Sequence, residues 1–217
     1  MAKEKPYHHG NLAAELLRIA CDTLAEGGAA SLTLRGVAER AGVTAAAVYR
    51  HFADKDALLA AVAEDGYRQL VTQFEAAMGH NTPSPRDQLR GLGRAYIQFA
   101  AENPHLHSVM FGPRAKHTKE NDRLQVIANQ SFSLLQQAVL RCLGPSISEQ
   151  QLMQTSLALW SLVHGYAILA RDGHFAQIPA EYSLPPDEML QALLPFAQPP
   201  AAQKEGEEGG RLGEELI

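Results

Sequence analysis

The sequence predicts an all-α protein: an N-terminal three-helix unit of helix-turn-helix type, followed by a larger helical domain, with about nine helices in total. Three observations carry this expectation. Alanine and leucine are abundant while aromatics make up 6% of the chain, a balance that favours helix over sheet. Apolar residues recur three and four positions apart over long stretches. Runs of β-branched residues alternating with polar ones, the mark of half-buried strands, are nearly absent.

Each element follows from its own signals. Leu12, Leu16, Ile19, Ala20 and Leu24 form one helical face over residues 11–26, and Gly27-Gly28 ends it. Ser31 to Thr33 supply a cap for "LRGVAERA", which Gly42 stops, and Thr44 caps a second short helix. Asp54 caps a long fourth helix over 55–78. The loop "GHNTPSPRD" separates it from "RDQLRGLGRAYIQFAAEN", which Pro104 stops, and from a short "PHLHSVMF". The polar "GPRAKHTKEND" reads as mobile. A long helix over about 121–143 turns Leu124, Ile127, Phe132, Leu135 and Val139 inward, and Gly144-Pro145 ends it. Ser148 caps a helix that Gly173 closes near 172. The segment "HFAQIPAEYSLPPD" reads as irregular, and Asp187 as the cap of a last helix. Residues 199–217 are acidic and glycine-rich and are expected to be disordered. The division expected is 10–70, 80–198 and this tail.

Composition sets bounds on function. The chain has 217 residues, 46% hydrophobic and 20% charged, with formal net charge -5, which excludes a uniformly basic nucleic-acid binder but not a locally basic one. Residues 1–55 hold seven Lys/Arg against six Asp/Glu, and the remainder 12 against 18. Cys21 and Cys142 lie far apart in apolar helical patterns and read as buried thiols. The polar start "MAKEKPYHHG" has no signal-peptide core. The most apolar segment, "SLALWSLVHGYAILA", is shorter than a membrane span and carries a histidine. The expectation is a cytoplasmic protein with no membrane partner. No GxSxG, P-loop, HExxH or supported carboxylate pair appears, so no enzyme and no cofactor is expected. Adjacent His8 and His9 point apart on a helix, and His105 and His107 do not share a face, so no metal site is expected either. The "YHHG" stretch reads instead as an arm leading to an Asn11 cap and able to touch DNA.

The segment "SLTLRGVAERAGVTAAAVYRHFADKDAL" has the spacing of a helix-turn-helix. Val37, Ala38 and Ala41 face inward from its first short helix; Val43, Val48 and Phe52 do so from its second; Gly42 makes the turn at positive φ. Thr33 and Thr44 sit at helix N-termini, where backbone N–H groups favour phosphate. Arg35, Thr44 and Arg50 are candidate base readers, and Tyr49, His51 and Lys55 candidate phosphate contacts. Ala45 and Ala46 are small enough for close approach to the major groove, where a methyl can meet a thymine methyl.

These residues, with "AGVTAAAVYRHF" and "DKDALL", resemble the DNA-binding domain of TetR-family transcriptional regulators over roughly residues 10–70. Trp160, His164 and Gly165 in "LWSLVHGYAIL" resemble the Trp-x-x-x-His-Gly motif of a C-terminal domain found in some members, and "NPHLHSVMFG" resembles the segment preceding its central helices. The resemblance implies a homodimer formed through the helices near 148–172 and 186–197, an inverted-repeat operator in double-stranded DNA, and a small-molecule effector that releases it. Trp160 and His164 lie one turn apart on one helix face, and read equally as a pocket wall or as packed core. Tyr96, Phe99, Met110, Phe111, Phe132 and Met153 lie on helices that enclose the same space, which suits a largely apolar effector.

Overall fold

A computed structural model describes residues 12–79, 84–112 and 122–193. Among the described residues there are nine α-helices and no strand. The "YHHG" arm, Asn11, the segment 113–121 and the tail lie outside the described residues.

Helix α1 (Leu12–Ser31) buries Leu16, Ile19, Ala20 and Leu24 on one stripe. Its outer face pairs Arg18 with Glu15 and Asp22, at 2.7 and 2.6 Å. The expected glycine break is present, but a further turn follows it. Gly28, at φ 69° and ψ -176°, occupies a region nearly closed to other residues, and the chain re-enters a helical turn up to Ser31. Helix α2 (Leu34–Ala41) starts at Thr33, whose Oγ1 accepts from Gly36 N–H at 3.0 Å, and ends at Gly42, at φ 66°. Helix α3 (Ala45–Tyr49) is shorter than the motif suggests. Thr44 caps it, and Arg50 and His51 lie in the turn beyond it. Val37 and Val48 are fully buried between α1, α2 and α3, so the two short helices share one small core.

Helix α4 (Lys55–Ala77) begins at Asp54, whose Oδ1 accepts from Ala57 N–H at 2.8 Å. It packs against α1 at one end. Further along it packs against α5 (Pro85–Glu102), α6 (Pro104–Met110) and α7 (Asp122–Leu143). Helix α8 (Glu149–Arg171) opens with a capping box between Ser148 and Gln151 and closes at Gly173, φ 77°. A single 3₁₀ turn (Ala180–Tyr182) precedes α9 (Pro186–Leu193). Here the structure corrects the sequence reading: α9 begins at Pro186, a residue whose missing N–H costs nothing at a helix start. Asp187 falls inside the first turn and accepts from Arg94 Nε at 3.0 Å, tying α9 to α5. One continuous cluster of buried side chains runs from Leu16 to Leu190, so α4 serves both ends of the molecule.

Two further expectations are corrected. Cys21 and Cys142 are only half-buried, although burial pushes the Cys21 thiol up to about 11 and keeps it protonated. The apolar segment near Trp160 is part of a 23-residue helix, long and apolar enough by length and composition to cross a membrane. Yet its Leu159, Val163 and Ala167 belong to the protein core, where α8 packs on α5 and α7.

Candidate DNA-reading head and effector cavity

The helix-turn-helix face is built on apolar residues below and polar ones above. Thr33, Arg35, Thr44, Ala46, Tyr49, Arg50 and His51 are all exposed, and Ala45 is half-buried at the start of α3. Tyr49 is 50% exposed, so its ring and hydroxyl are open to a partner on this face. Arg35 and Arg50 form no ion pair among the described residues, whereas Arg40 on the same unit is fully engaged. Its guanidinium donates to Glu26 at 2.7 and 2.9 Å and to Thr23 Oγ1 at 3.0 Å, clamping α2 to α1. Lys55 is placed differently from the sequence expectation of a free phosphate anchor. It is half-buried, and its Nζ donates to the Ala29 carbonyl at 2.7 Å, fastening the end of α1 to the start of α4. Ala29 follows the Gly28 kink, so this carbonyl is one that the broken helix leaves without an internal partner.

A cavity of about 310 Å³ lies between α4, α5, α7, α8 and α9, at the lower end of the range usual for small-molecule sites. Four of the eight sequence candidates line it: Tyr96, Phe111, Phe132 and Trp160. They form a connected aromatic wall, with Phe111 and Phe132 ring centroids 6.2 and 6.1 Å from Trp160 and Tyr96 6.1 Å from Phe111. Four do not. Phe99 is fully buried in the core behind the cavity, and Met110 is buried away from it, at Gly66, where an added Cβ would stand 2.7 Å from the Met110 sulfur. Met153 is 41% exposed, with its sulfur against Gln136. His164 stands behind the wall, where Tyr96 Oη meets its Nδ1 at 2.5 Å. The shared face of Trp160 and His164 therefore splits by role: the indole lines the cavity and the imidazole positions Tyr96.

Tyr96 Oη also meets Nε2 of His107 at 3.0 Å, and His107 Nδ1 is buried without a partner. One proton arrangement leaves no N–H orphaned. His107 Nε2–H donates to Tyr96, and Tyr96 O–H donates to His164 Nδ1, leaving only the His107 Nδ1 lone pair unmatched. Burial supports this neutral chain. It holds His107 down at about 4, lowers His164, and raises the Tyr96 phenol so that it stays protonated. Among the described residues no group of three or more His, Cys, Asp or Glu side chains is gathered as for a metal ion.

The sequence reading missed the α4 wall (Tyr67, Leu70 and Phe74) and Arg90, Asn129, Leu157 and Leu190. Arg90 carried a weak signal: it falls three residues before Gly93, one turn back on the same face of α5. Gly93 leaves room for α9, which crosses there; a Cβ would run into a Leu190 methyl.

Comparison with known proteins bears on both regions. Residues 16–62 match the family described as bacterial regulatory proteins, tetR family, and residues 89–195 match the tetracyclin repressor-like C-terminal domain. The chain belongs to the TetR family of bacterial regulators. A solved structure of a protein of unknown function from Rhodococcus sp. RHA1 is 31% identical, with 89% of this chain and 97% of that one aligned at a TM-score of 0.72. The TetR regulator SCO7222 of Streptomyces coelicolor shares the fold, at 19% identity over 84% of this chain and 93% of its own, with a TM-score of 0.64. Among curated relatives, the transcriptional repressor KstR2 of Mycolicibacterium smegmatis is 28% identical over 55% of this chain. The match spans only 58% of that relative's length. Both TetR-family segments are those of regulators, not enzymes.

Proposed function

We propose that this TetR-family regulator is a dimeric, ligand-responsive repressor that binds an inverted-repeat operator and is released by a small, largely apolar effector. The observation that carries this is the pairing of an exposed polar face at α2 and α3, whose Arg35 and Arg50 form no ion pair among the described residues, with a preformed aromatic cavity behind α4. In this reading Arg35, Thr44 and Arg50 address base edges, and Thr33, Tyr49 and His51 address phosphates, with Ala45 and Ala46 allowing close approach. Lys55 acts chiefly as the staple between α1 and α4, and contributes a positive field to the backbone.

Helix α8 supports the dimer. Ala158, Leu162, Gly165 and Leu169 form a stripe at helical spacing on its outer side, with Leu162 and Leu169 44% and 43% exposed. Gly165 has open space beside it: among the described residues nothing from another element lies within 4 Å of a Cβ added there. A second copy is the partner that such a bare small-residue position suits.

Coupling follows from α6. Phe111 at its end lines the cavity, and His107 holds Tyr96. Leu106 and Met110 press on Gly66 of α4, and the His105 ring stands about 3.2 Å from the position of a Cβ at Gly28. An effector that displaces Phe111 therefore acts on both helices that carry the reading head, and lowers DNA affinity by its preference for the displaced state.

The test is a gel shift on DNA from upstream of the protein's own gene. Retardation should be specific, and should weaken steeply with salt as phosphate contacts are lost. Arg35→Ala should weaken it about tenfold or more with the dimer intact. Binding that ignores both salt and Arg35 would refute the assignment.

A further inference from the structure

The cavity wall is mostly apolar; Asn129, Ser131 and the phenols Tyr67 and Tyr96 add neutral polar groups, and Arg90 is the one charged residue among the described lining. Arg90 lines it from the second turn of α5, and its Nε is buried with no hydrogen-bond partner among the described residues. The nearest carboxylate does not complete it. Asp87 Oδ1 stands 3.8 Å from Arg90 Nη1, beyond hydrogen-bond distance, while Asp87 Oδ2 accepts from the Ser84 hydroxyl at 2.6 Å as part of the α5 cap. An arginine with a desolvated, unmatched N–H is an expensive arrangement, and one that a bidentate anion would complete. Other positive groups stand at the same end of α5. Arg141 Nη1 donates to Gln88 at 2.9 Å, and Arg86 is near enough to Cys142 to oppose in part the upward shift that burial gives its thiol.

Position adds to charge. The Arg90 side chain is 30% exposed, so the cation stands at the mouth of the cavity. Tyr96 lies six residues further along α5, about 9 Å down the axis at helical rise. Leu92, Phe74 and Leu190 are among the apolar residues of the same cavity, which the aromatic wall completes. A molecule entering this space meets a cation outside and hydrocarbon inside.

We propose that the effector is an amphipathic acid: an elongated apolar body held by the aromatic wall, with a carboxylate or similar monoanionic head on Arg90. This rests on the reading of the cavity as the effector site, and the test separates the two. Trp160 is the single tryptophan and lines the cavity, so its fluorescence reports occupancy directly. The full chain is titrated at neutral pH with decanoate, decanol and decylamine, which share one tail and differ in head charge. Decanoate should bind about tenfold or more tighter than decanol, with decylamine weakest. Arg90→Gln should lower decanoate affinity about tenfold while changing decanol affinity far less, and Arg90→Lys should recover part of the loss. Decanol binding by Arg90→Gln certifies an intact cavity; if that variant does not fold, the three-ligand ranking on the unmodified protein decides. Equal affinity for decanoate and decanol, or no effect of Arg90→Gln on decanoate, overturns the acid-binding inference and leaves the cavity reading standing. No Trp160 response to any of the three overturns both.

Discussion

At the residue scale, the decisive groups are those whose solvation the fold has changed. His107 is 1% exposed and is held at about 4, well below the ordinary histidine value of 6.5. The unfolded chain therefore takes up a proton at this residue between pH 6.5 and 4 that the folded chain refuses. Stability from this group is complete above the unfolded value, and is lost as pH falls toward the folded one, by on the order of 3 kcal/mol. His164 acts in the same direction. Urea unfolding midpoints should fall between pH 7 and 4.5, and His107→Asn should flatten that fall; an unchanged slope would show that His107 titrates normally. None of this was legible from the spacing of His105 and His107, which said only that they face apart. Burial of His107 depends on Tyr96 and His164, residues 11 and 57 positions away in sequence. Arg90 was overlooked for the related reason that a lone arginine on a helix reads as solvated until its neighbours are known.

At the scale of elements, caps and breaks were legible almost to the residue. Thr33, Thr44, Asp54 and Ser148 each accept a backbone N–H of the first turn, because short polar side chains before an apolar period have few other uses; Ser84, which the sequence reading left inside a loop, does the same for α5. Gly28 shows what local signals leave out. A glycine pair marked an end to α1, but its conformation is demanded by the return of the chain onto α6 and by the Lys55 staple on Ala29. Gly28→Ala places a Cβ at φ 69° and about 3.2 Å from the His105 ring, so it should cost about 1–3 kcal/mol in thermal or denaturant unfolding. It should also weaken operator binding beyond what its stability loss explains, since the kink sets how α1 meets α6. Loss of stability with normal DNA affinity would make the kink a purely structural feature. The misplaced Asp187 cap has a simple cause: Pro186 is itself a favoured first helical residue, which moves the start back by two.

At the scale of the whole molecule, α4 and α6 join what the sequence divided. A boundary near residue 80 is visible as a Pro- and Ser-rich loop, but the buried core crosses it without interruption. A ligand in the cavity therefore touches the same continuous core that holds the N-terminal unit. The exposed stripe on α8 belongs to this scale as well. Leu162→Glu should convert a species of twice the 23.6 kDa chain mass into monomer by light scattering, and should reduce operator affinity, because each half-site then binds alone. A variant that remains dimeric would place the interface elsewhere. Gly165→Ala sharpens the same test. Within one chain it should be neutral or stabilising by about 0.5–1 kcal/mol, since no other element of the described residues is near and alanine favours helix. Weaker dimerisation in that variant would locate the second copy at this position.

Helix content, the order long, short, short, long at the start, and the polar face of "VTAAAVYRHF" are written in local spacing, because helical period and capping are properties of a few neighbouring residues. The cavity's outline was not. Of residues placed on the right helices, Phe99 went to the core, Met110 to Gly66 and Met153 toward solvent, while Tyr67, Phe74 and Arg90 came to the wall. Periodicity tells which side of a helix is apolar; it does not tell which of several packed neighbours that side meets. Only the crossing of α4, α5, α7, α8 and α9 decides which apolar groups touch one another, which are left facing empty space, and which single cation stands at its mouth.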